Sequence, residues 1–152
     1  MISKQAKYAL RALIALAHLP AGESMQTARI ASQERIPKKF LEQILLTLKR
    51  QGMVQSSRGS QGGYALLKPA KAISITQVLR VIDGPIAPLP CLSIVAYSRC
   101  PDCPDENACR IRRAFAPVAE SHRRILDRTM LSDLASDAKT GGGTARRKAA
   151  LS

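Results

Sequence analysis

The chain has 152 residues, a formal net charge of +13 at pH 7, 45% hydrophobic residues and only 3% aromatic residues. This length allows one or two small domains with an aliphatic core. No apolar run approaches the roughly 20 residues of a membrane-spanning helix. The apolar N-terminal stretch lacks a small-residue cleavage site and continues into a helical pattern, which disfavours a signal peptide. We therefore expect a cytoplasmic protein without a membrane partner.

The positive charge is concentrated in the first half of the chain. Residues 1–70 contain eleven Lys and Arg against three Glu, whereas residues 71–138 contain nine basic and eight acidic residues. The segment from Lys139 onward adds four basic residues and no acidic one. Binding of a basic region to a phosphate backbone releases counterions, so this distribution predicts a nucleic-acid-binding N-terminal half.

Two helices are predicted before residue 35. The first covers residues 3–19 and the second, shorter one covers residues 26–33, with Pro20-Ala-Gly22 between them. In the second helix the inward residues are expected to be Ala28, Ile30 and Ala31. A short turn then follows, in which Ile36 can fill the corner before the next helix.

Residues 35–68 predict a third helix followed by a hairpin. Pro37 suits a first helical position, and Gly52 can end the helix in a left-handed conformation. The residues expected on the inner face of this helix are Phe40, Leu41, Ile44, Leu45 and Leu48. Residues 54–57 and 64–67 can form two strands around a glycine-rich tip that carries Arg58. A polar-faced helix followed by a basic hairpin is typical of a winged helix-turn-helix, which places the helix in the major groove and the tip at the minor groove or backbone.

Two more helices are predicted after the hairpin. Ser74 and Gln77 form a capping-box pair that begins a helix from Ile75 to about residue 82. A long helix follows from about residue 108 to residue 135, and Pro117 should kink or restart it. One narrow stripe of this helix consists of Ile111, Phe115, Val118, His122, Ile125 and Thr129. So small a chain cannot cover such a seam alone, which predicts a coiled-coil-like homodimer contact.

All four cysteines lie in one short segment, with the spacing Cys91-x8-Cys100-x2-Cys103-x5-Cys109. Structural disulfides are rare in cytoplasmic proteins, so this cluster indicates metal or redox chemistry. Thiolates hold iron–sulfur clusters or zinc. Arg99 and Arg110 flank outer cysteines and should favour the thiolate form. Zinc is disfavoured because a second close pair of cysteines is missing, and a thiol–disulfide switch is the other alternative.

Residues 4–135 resemble the Rrf-type family of winged-helix transcription regulators, which includes IscR, NsrR and RirA. The matching segments are Lys7-Tyr8-Ala9-Leu10, Leu41-Glu42-Gln43-Ile44-Leu45, Ser57-Arg58-Gly59, Gly62-Gly63-Tyr64, residues 73–84, the cysteine loop and residues 129–134. The resemblance implies a mainly α fold with a small β wing and a long dimerisation helix. The expected divisions are a DNA-binding domain at residues 1–72, a linker helix, cysteine loop and dimerisation helix at residues 73–135, and a disordered basic tail at residues 136–152.

The resemblance also implies which residues contact double-stranded DNA. Glu42 and Gln43 would face base edges, Arg58 would enter the minor groove, and the lysines would hold phosphates. The full expected set is Lys4, Lys7, Tyr8, Arg29, Lys38, Lys39, Glu42, Gln43, Ser57, Arg58 and Gly59. In the tail, Arg146, Arg147 and Lys148 would add nonspecific affinity.

The iron–sulfur branch of the family carries three cysteines in this loop, to which Cys91, Cys103 and Cys109 correspond. Here the gap after Cys91 is longer than usual and Cys100 is additional. Some relatives supply a further ligand from positions that hold Lys7, Tyr8 and Arg112 in this chain. Cys100 is therefore the expected fourth ligand, unless it replaces Cys103. Both a two-iron and a four-iron cluster fit this set.

We therefore expect a homodimeric transcription repressor that binds a palindromic operator. Its affinity would be controlled by an iron–sulfur cluster that senses iron, redox state or nitric oxide. The alternative is a winged-helix regulator with zinc or a thiol–disulfide switch in place of the cluster. We do not expect an enzyme, because the sequence shows neither a nucleophile–base constellation nor a phosphate loop.

Overall fold

The structure, a computed structural model, describes residues 2–136. In that range the chain is mainly helical with one two-stranded antiparallel sheet. The elements are α1 (Lys4–Ala17), α2 (Thr27–Glu34), α3 (Lys38–Arg50), β1 (Val54–Ser57), β2 (Gly63–Leu66), α4 (Ile75–Asp83), α5 (Arg110–Arg128) and α6 (Leu131–Ala135). Short 3₁₀ turns cover Ala70–Ala72 and Pro90–Leu92. From residue 137 onward, the predicted basic tail lies outside the described residues.

The helix boundaries follow from residues that can end or cap a helix. Ser3 caps α1, and its hydroxyl accepts from the Ala6 N–H at 2.9 Å. Arg35 ends α2 in the left-handed region with φ 51°, and the buried Ile36 fills the corner before α3. Gly52 has φ 66°, as the predicted left-handed end of α3 requires. The capping box of Ser74 and Gln77 is also present at the start of α4.

The wing is a hairpin fastened to the segment before α2. Strands β1 and β2 pair in the register Val54 with Leu66 through Ser57 with Gly63. Met25 adds an antiparallel bridge to Tyr64, with N–H to carbonyl distances of 2.8 and 2.9 Å. A Cβ on Gly63 would overlap the Met25 carbonyl oxygen and lie 2.5 Å from its carbonyl carbon. The close approach of the two segments therefore requires glycine at this position.

The core is aliphatic, as the composition predicts. Its fully buried side chains include Leu13, Ile30, Leu41, Ile44, Leu45, Leu48, Val54, Ile73, Val78 and Leu131. These residues come from α1, α2, α3, β1, α4, α6 and the segment before α4, and they form one cluster. The core thus continues across residue 72, so the division there stays a prediction based on function.

Some sequence expectations differ from the structure. The helix predicted from residue 108 to residue 135 is two helices, because Thr129 and Met130 are extended and pair with the segment that begins α4. Helix α5 continues through Pro117. Phe40, predicted to lie inside, is 44% exposed, and Ala28 is also exposed. None of the helices within residues 2–136 has both the length and the apolar character needed to cross a membrane.

Candidate functional site

The outer face of α3 is polar, and its inner face is buried. Lys38, Lys39, Glu42 and Gln43 are exposed, whereas the intervening Leu41 is fully buried. Lys38 Nζ lies 4.0 Å from Glu42 Oε1, and both side chains are more than half exposed. An ion pair this exposed contributes little, so the Glu42 carboxylate remains available for another partner. This face has the shape and polarity to enter a major groove.

An aromatic contact joins the start of α1 to the start of α3. Tyr8 and Phe40 meet edge to face, with ring centroids 6.2 Å apart and an interplanar angle of 84°. Lys4 Nζ lies 5.6 Å from the centre of the Tyr8 ring, within range of a cation–π interaction. Phe40 therefore serves the helix–helix contact at the surface rather than the core. The contact places Lys4 on the same side of the molecule as the first turn of α3.

A second contact sets the end of α2 against α1. Arg11 Nε lies 3.1 Å from Glu34 Oε2, and the Arg11 guanidinium also donates to the Glu34 carbonyl oxygen. That carbonyl lies at the C-terminal end of α2, where a cation is favoured by the helix dipole. Arg29, one of the predicted DNA-binding residues, remains exposed on α2. The pair thus fixes the helix-turn-helix while leaving Arg29 free for solvent or a ligand.

The tip of the wing presents Arg58 to solvent. Gly59 has φ 105°, and its carbonyl accepts from the Gly62 N–H at 2.9 Å, which closes the turn. Lys49 Nζ donates to Ser56 Oγ at 2.6 Å, which ties α3 to β1. The turn therefore has a defined path, and its first residue is the exposed Arg58.

Side chains before α2 hold the tip. Ser24 Oγ donates to the Gln61 carbonyl at 3.0 Å and accepts from Ser57 Oγ at 3.3 Å. Gln26 Nε2 donates to the Ser60 carbonyl at 3.1 Å. Neither Ser24 nor Gln26 is among the predicted site residues. A glutamine at the N-cap of α2, where shorter polar residues are preferred, is a signal only once the start of α2 is known.

The predicted DNA-binding residues thus lie on α1, α2, α3 and the wing, and all of them except Tyr8 are exposed. Tyr8 is half-buried in its contact with Phe40. Their contacts with DNA stay predictions.

The four cysteines lie in the segment between α4 and α5. Cys91 is buried in the 3₁₀ turn, and the other three are half-buried. The Cys103 N–H donates to the Cys100 carbonyl at 3.1 Å, which makes the Cys-x-x-Cys stretch a tight turn. Cys109 caps α5, and its Sγ accepts from the Arg112 N–H at 3.4 Å. The loop therefore connects a buried thiol on the α4 side to a thiol at the first turn of α5.

Arg99 organises the middle of this loop. Its guanidinium donates to the Cys103 carbonyl at 2.8 and 3.1 Å and to the Pro104 carbonyl at 2.6 Å. The Tyr97 hydroxyl donates to Glu106 at 2.6 Å. This hydrogen bond to a carboxylate raises the pKa of Tyr97. Arg99 thus acts mainly on the backbone rather than on the neighbouring sulfur.

Two thiols in the loop, those of Cys100 and Cys103, have a raised pKa and so favour the protonated form. Burial raises the pKa of Cys100, and the charges of Cys91 and Asp102 raise it further. Burial and the charge of Cys109 raise the pKa of Cys103, and Arg99 only partly offsets them. Arg99 favours the thiolate of Cys103, as expected, but desolvation and neighbouring negative charge outweigh it.

The donor set fits an iron–sulfur cluster by its chemistry, since four soft thiols lie within one loop. Within residues 2–136, however, no three His, Cys, Asp or Glu side chains are arranged to hold a metal ion. The four thiols are also free of disulfides. The loop therefore supplies suitable ligands that have to come closer together before they can share a metal centre.

The outer face of α5 is apolar and uncovered within the single chain. The stripe formed by Ile111, Phe115, Val118 and Ile125 is 43–61% exposed. A groove of about 1170 Å³ lies beside it, between the start of α1, the end of α4 and Val118. An exposed apolar stripe of this kind is typical of a protein–protein interface. Of the predicted seam, Thr129 lies just after the end of α5 in extended backbone, whereas the other five residues lie on α5. The dimer contact through this seam stays a prediction.

A helix-turn-helix with an anchored wing and an exposed polar third helix defines the class of winged helix-turn-helix transcription regulators. The sequence model of the Rrf2 family, described as an iron-dependent transcriptional regulator, matches residues 2–137. The chain belongs to the Rrf2 family.

Relatives cover nearly the whole chain. An rrf2-like HTH-type transcriptional regulator of Rhodobacter capsulatus is 50% identical over 137 residues, which span 88% of this chain and 91% of the relative. The regulator CymR of Bacillus subtilis is 31% identical over 135 residues, which span 89% of each chain. These relatives are transcriptional regulators, in agreement with the expectation that this protein is not an enzyme.

Solved structures agree with the fold. The structure of CymR, described as the global cysteine regulator of B. subtilis, superposes with a TM-score of 0.74 at 31% identity and covers 90% of this chain and 96% of its own. The structure of IscR from T. potens gives a TM-score of 0.71 at 25% identity and covers 94% and 93%. The prediction of a mainly α winged-helix fold in this family is confirmed. Rrf2 regulators bind DNA and are typically dimeric.

Proposed function

We propose that this protein is a homodimeric, cytoplasmic repressor that binds a palindromic operator, and that an iron–sulfur cluster in the Cys91–Cys109 loop controls its affinity. One observation carries the proposal: all four thiols lie in the loop between α4, which packs into the core of the winged helix-turn-helix, and α5, which carries the exposed apolar stripe. The family's description as iron-dependent supports a metal in this loop.

In the DNA complex, the exposed face of α3 enters the major groove. Glu42 accepts from cytosine, Gln43 pairs with adenine, and Arg58 enters the minor groove beside it. Lys4, Lys7, Lys38 and Lys39, with Arg29, hold the phosphates, while Tyr8, Ser57 and Gly59 complete the contacts at α1 and the wing.

The DNA contacts can be tested on a duplex selected by the wild-type protein from a random-sequence library. Fluorescence anisotropy measures affinity as a function of salt. Gln43→Ala should weaken binding to the selected duplex by about 1–3 kcal/mol and relax its sequence preference. Lys39→Ala should weaken all duplexes alike and lower the salt slope by about 1. Gln51→Ala, an exposed change just after α3, is the matched control. Equal binding by Gln43→Ala and the control would contradict base reading by α3.

The cluster would be held by Cys91, Cys103 and Cys109, with Cys100 as the fourth ligand. When bound, it supplies a redox-active and iron-responsive centre. The chain's own residues restrict the loop on both sides, because Cys91 is buried in its 3₁₀ turn and Cys109 caps α5. Drawing these thiols together therefore constrains the segment that links α4 to α5.

Anaerobic purification tests this part of the proposal. The protein should absorb at roughly 350–500 nm and contain iron and sulfide. Cys103→Ala should remove the colour and change operator affinity together, whereas Ser98→Ala, an exposed loop change without a thiol, should do neither. A protein free of iron would refute the cluster, and unchanged DNA binding by a colourless Cys103→Ala variant would refute its control of affinity.

A second candidate replaces the cluster with a thiol–disulfide switch or with zinc. The thiol–disulfide switch is favoured by the four free thiols, because within residues 2–136 they are not held in a metal-binding arrangement. CymR is described as a cysteine regulator, and the structure of Staphylococcus aureus CymR in an oxidised form matches this chain at 26% identity. For this candidate, anaerobic protein is colourless. If the loop is a thiol–disulfide switch, mild oxidation changes operator binding, and peptide mapping finds two of the cysteines joined by a disulfide. If the loop holds zinc, elemental analysis finds that metal.

The dimer contact can be tested on α5. Val118→Glu places a charge in the exposed apolar stripe and should convert the dimer to a monomer in light scattering after size-exclusion chromatography. Glu120→Gln, an exposed polar change on the same helix, should remain dimeric. A dimeric Val118→Glu variant at the lowest measurable concentration would place the interface elsewhere.

A further inference from the structure

We propose that Ser24 and Gln26, in the segment before α2, are positioning residues that hold the wing so that Arg58 meets the minor groove. This inference rests on the DNA contact proposed for Arg58 above. It assigns to the segment before α2 a role in DNA affinity that does not require it to touch DNA.

The hydrogen bonds reach the part of the wing that the strands leave unsupported. The ladder between β1 and β2 ends at the pair Ser57 with Gly63, so residues 58–62 lie beyond it. Two carbonyls in this stretch, those of Ser60 and Gln61, accept from Gln26 Nε2 and Ser24 Oγ at 3.1 and 3.0 Å. These bonds hold the turn from the side of α2.

The Ser24 hydroxyl both donates and accepts a hydrogen bond. A serine hydroxyl has one proton to donate and lone pairs that accept. Ser24 donates to the Gln61 carbonyl and accepts from the hydroxyl of Ser57, the residue before Arg58. The same side chain therefore restrains both sides of the turn that carries Arg58.

Gln26 occupies a position where a different residue would stabilise α2 better. It is the N-cap residue of α2, yet its side chain makes no capping hydrogen bond. Serine, threonine, aspartate and asparagine are the residues that satisfy free N–H groups at an N-cap. The long amide of Gln26 instead reaches the Ser60 carbonyl. Gln26 therefore bonds to the wing instead of capping α2.

The backbone beneath these contacts is already fixed. Met25, between the two positioning residues, pairs with Tyr64 through two backbone hydrogen bonds. Replacing the side chains of Ser24 and Gln26 therefore leaves β2 attached through Tyr64. The expected consequence is a looser tip on an intact fold.

The experiment is a double-mutant cycle on the full chain with the selected duplex described above. Gln26→Ser removes the bond to the wing and provides a good N-cap, so its melting temperature should not fall. Its affinity should fall about two- to tenfold, the factor that one neutral hydrogen bond is worth. Ser24→Ala should have a similar effect. Gln33→Ser, on the exposed part of α2, is the matched control and should bind as the wild type does.

The cycle separates positioning from other roles. In the Arg58→Ala background, Gln26→Ser should cause no further loss, because the wing no longer has the contact that it positions. Amide hydrogen exchange should also be faster for residues 58–62 in Gln26→Ser than in wild type, and unchanged in Gln33→Ser.

Three results would overturn the inference. If Gln26→Ser lowered the affinity for the duplex equally in the wild type and in the Arg58→Ala variant, Gln26 would act independently of Arg58. If Arg58→Ala lowered the affinity but Gln26→Ser and Ser24→Ala did not, the positioning role of Ser24 and Gln26 would be refuted. The proposed contact of Arg58 with DNA would still stand. An unchanged affinity in Arg58→Ala itself would refute the wing contact, and the positioning role with it.

Discussion

Replacing Gly63 by alanine should separate the wing from the segment before α2. The new Cβ would lie 2.5 Å from the Met25 carbonyl carbon and 2.8 Å from the Gln26 nitrogen, and both are backbone atoms that cannot rotate away. The two Met25–Tyr64 hydrogen bonds would be lost or stretched at about 1 kcal/mol each, and the neighbouring bonds from Ser24 and Gln26 would weaken with them. Alanine also lowers the conformational entropy of the unfolded chain, which offsets the loss by up to about 1 kcal/mol. We therefore expect a net loss of about 2–3 kcal/mol.

Thermal unfolding followed by circular dichroism measures this loss. A decrease of 2–3 kcal/mol corresponds to a melting temperature lower by about 4–12 °C for a chain of this size. Protein concentration must be equal in all samples, because dimerisation contributes to apparent stability. Gln55→Ala, on the exposed face of β1, is the control and should change stability by less than about 0.5 kcal/mol. A Gly63→Ala variant as stable as this control would refute the close approach of Met25 to the wing.

Four further predictions concern Arg35, Leu131, Ser74 and the thiols of Cys100 and Cys103. Arg35 is in the left-handed region, so Arg35→Val should be about 1–2 kcal/mol less stable than Arg35→Gly in urea unfolding, and equal stability would contradict this. Leu131→Ala, in the core at α6, should lose about 2–5 kcal/mol, and a loss below 1 kcal/mol would mean that α6 does not pack there. Ser74→Ala should lose about 1 kcal/mol through the capping box, whereas no loss would place the start of α4 elsewhere. In metal-free protein, the raised pKa of Cys100 and Cys103 should shift the pH dependence of their alkylation upward relative to a free cysteine, and a downward shift would contradict the burial of these thiols.

Local signals in the sequence predict much of the winged helix-turn-helix and the start of α4. The periodic apolar residues of α3, the left-handed Gly52 and the capping box at Ser74 each act within a few residues, so the sequence pattern reports them directly. Phe40 is misplaced because helical spacing alone cannot tell a core position from the edge of the apolar face. Its partner Tyr8 lies on α1, and only the packing of the two helices shows their edge-to-face contact.

Contacts between distant segments are what the sequence could not predict. The bridge of Met25 to Tyr64 joins residues with no shared motif, and Gly63 is a signal for it only once the two segments are seen together. The break after α5 has the same cause, because Met130 leaves the helix to pair with Ser74. The cysteine spacing indicates the chemistry of the loop, but burial and neighbouring charge set the protonation of Cys103.

Helix α4 is attached at both ends, which suggests how the loop and the head are connected. At its start, Ser74 pairs with Met130 at the junction of α5 and α6. At its end, the Asp83 carboxylate accepts from the Ser3 N–H at 2.9 Å and from the Ser3 hydroxyl, and Ser3 is the N-cap of the helix that carries Lys4. The segment that carries the cysteines begins just beyond Asp83, so in the proposed mechanism a change in the loop can reach α1 through α4 without involving the wing. Because the segment before α2 holds the wing separately, substitutions in the loop and at the wing should affect operator affinity additively.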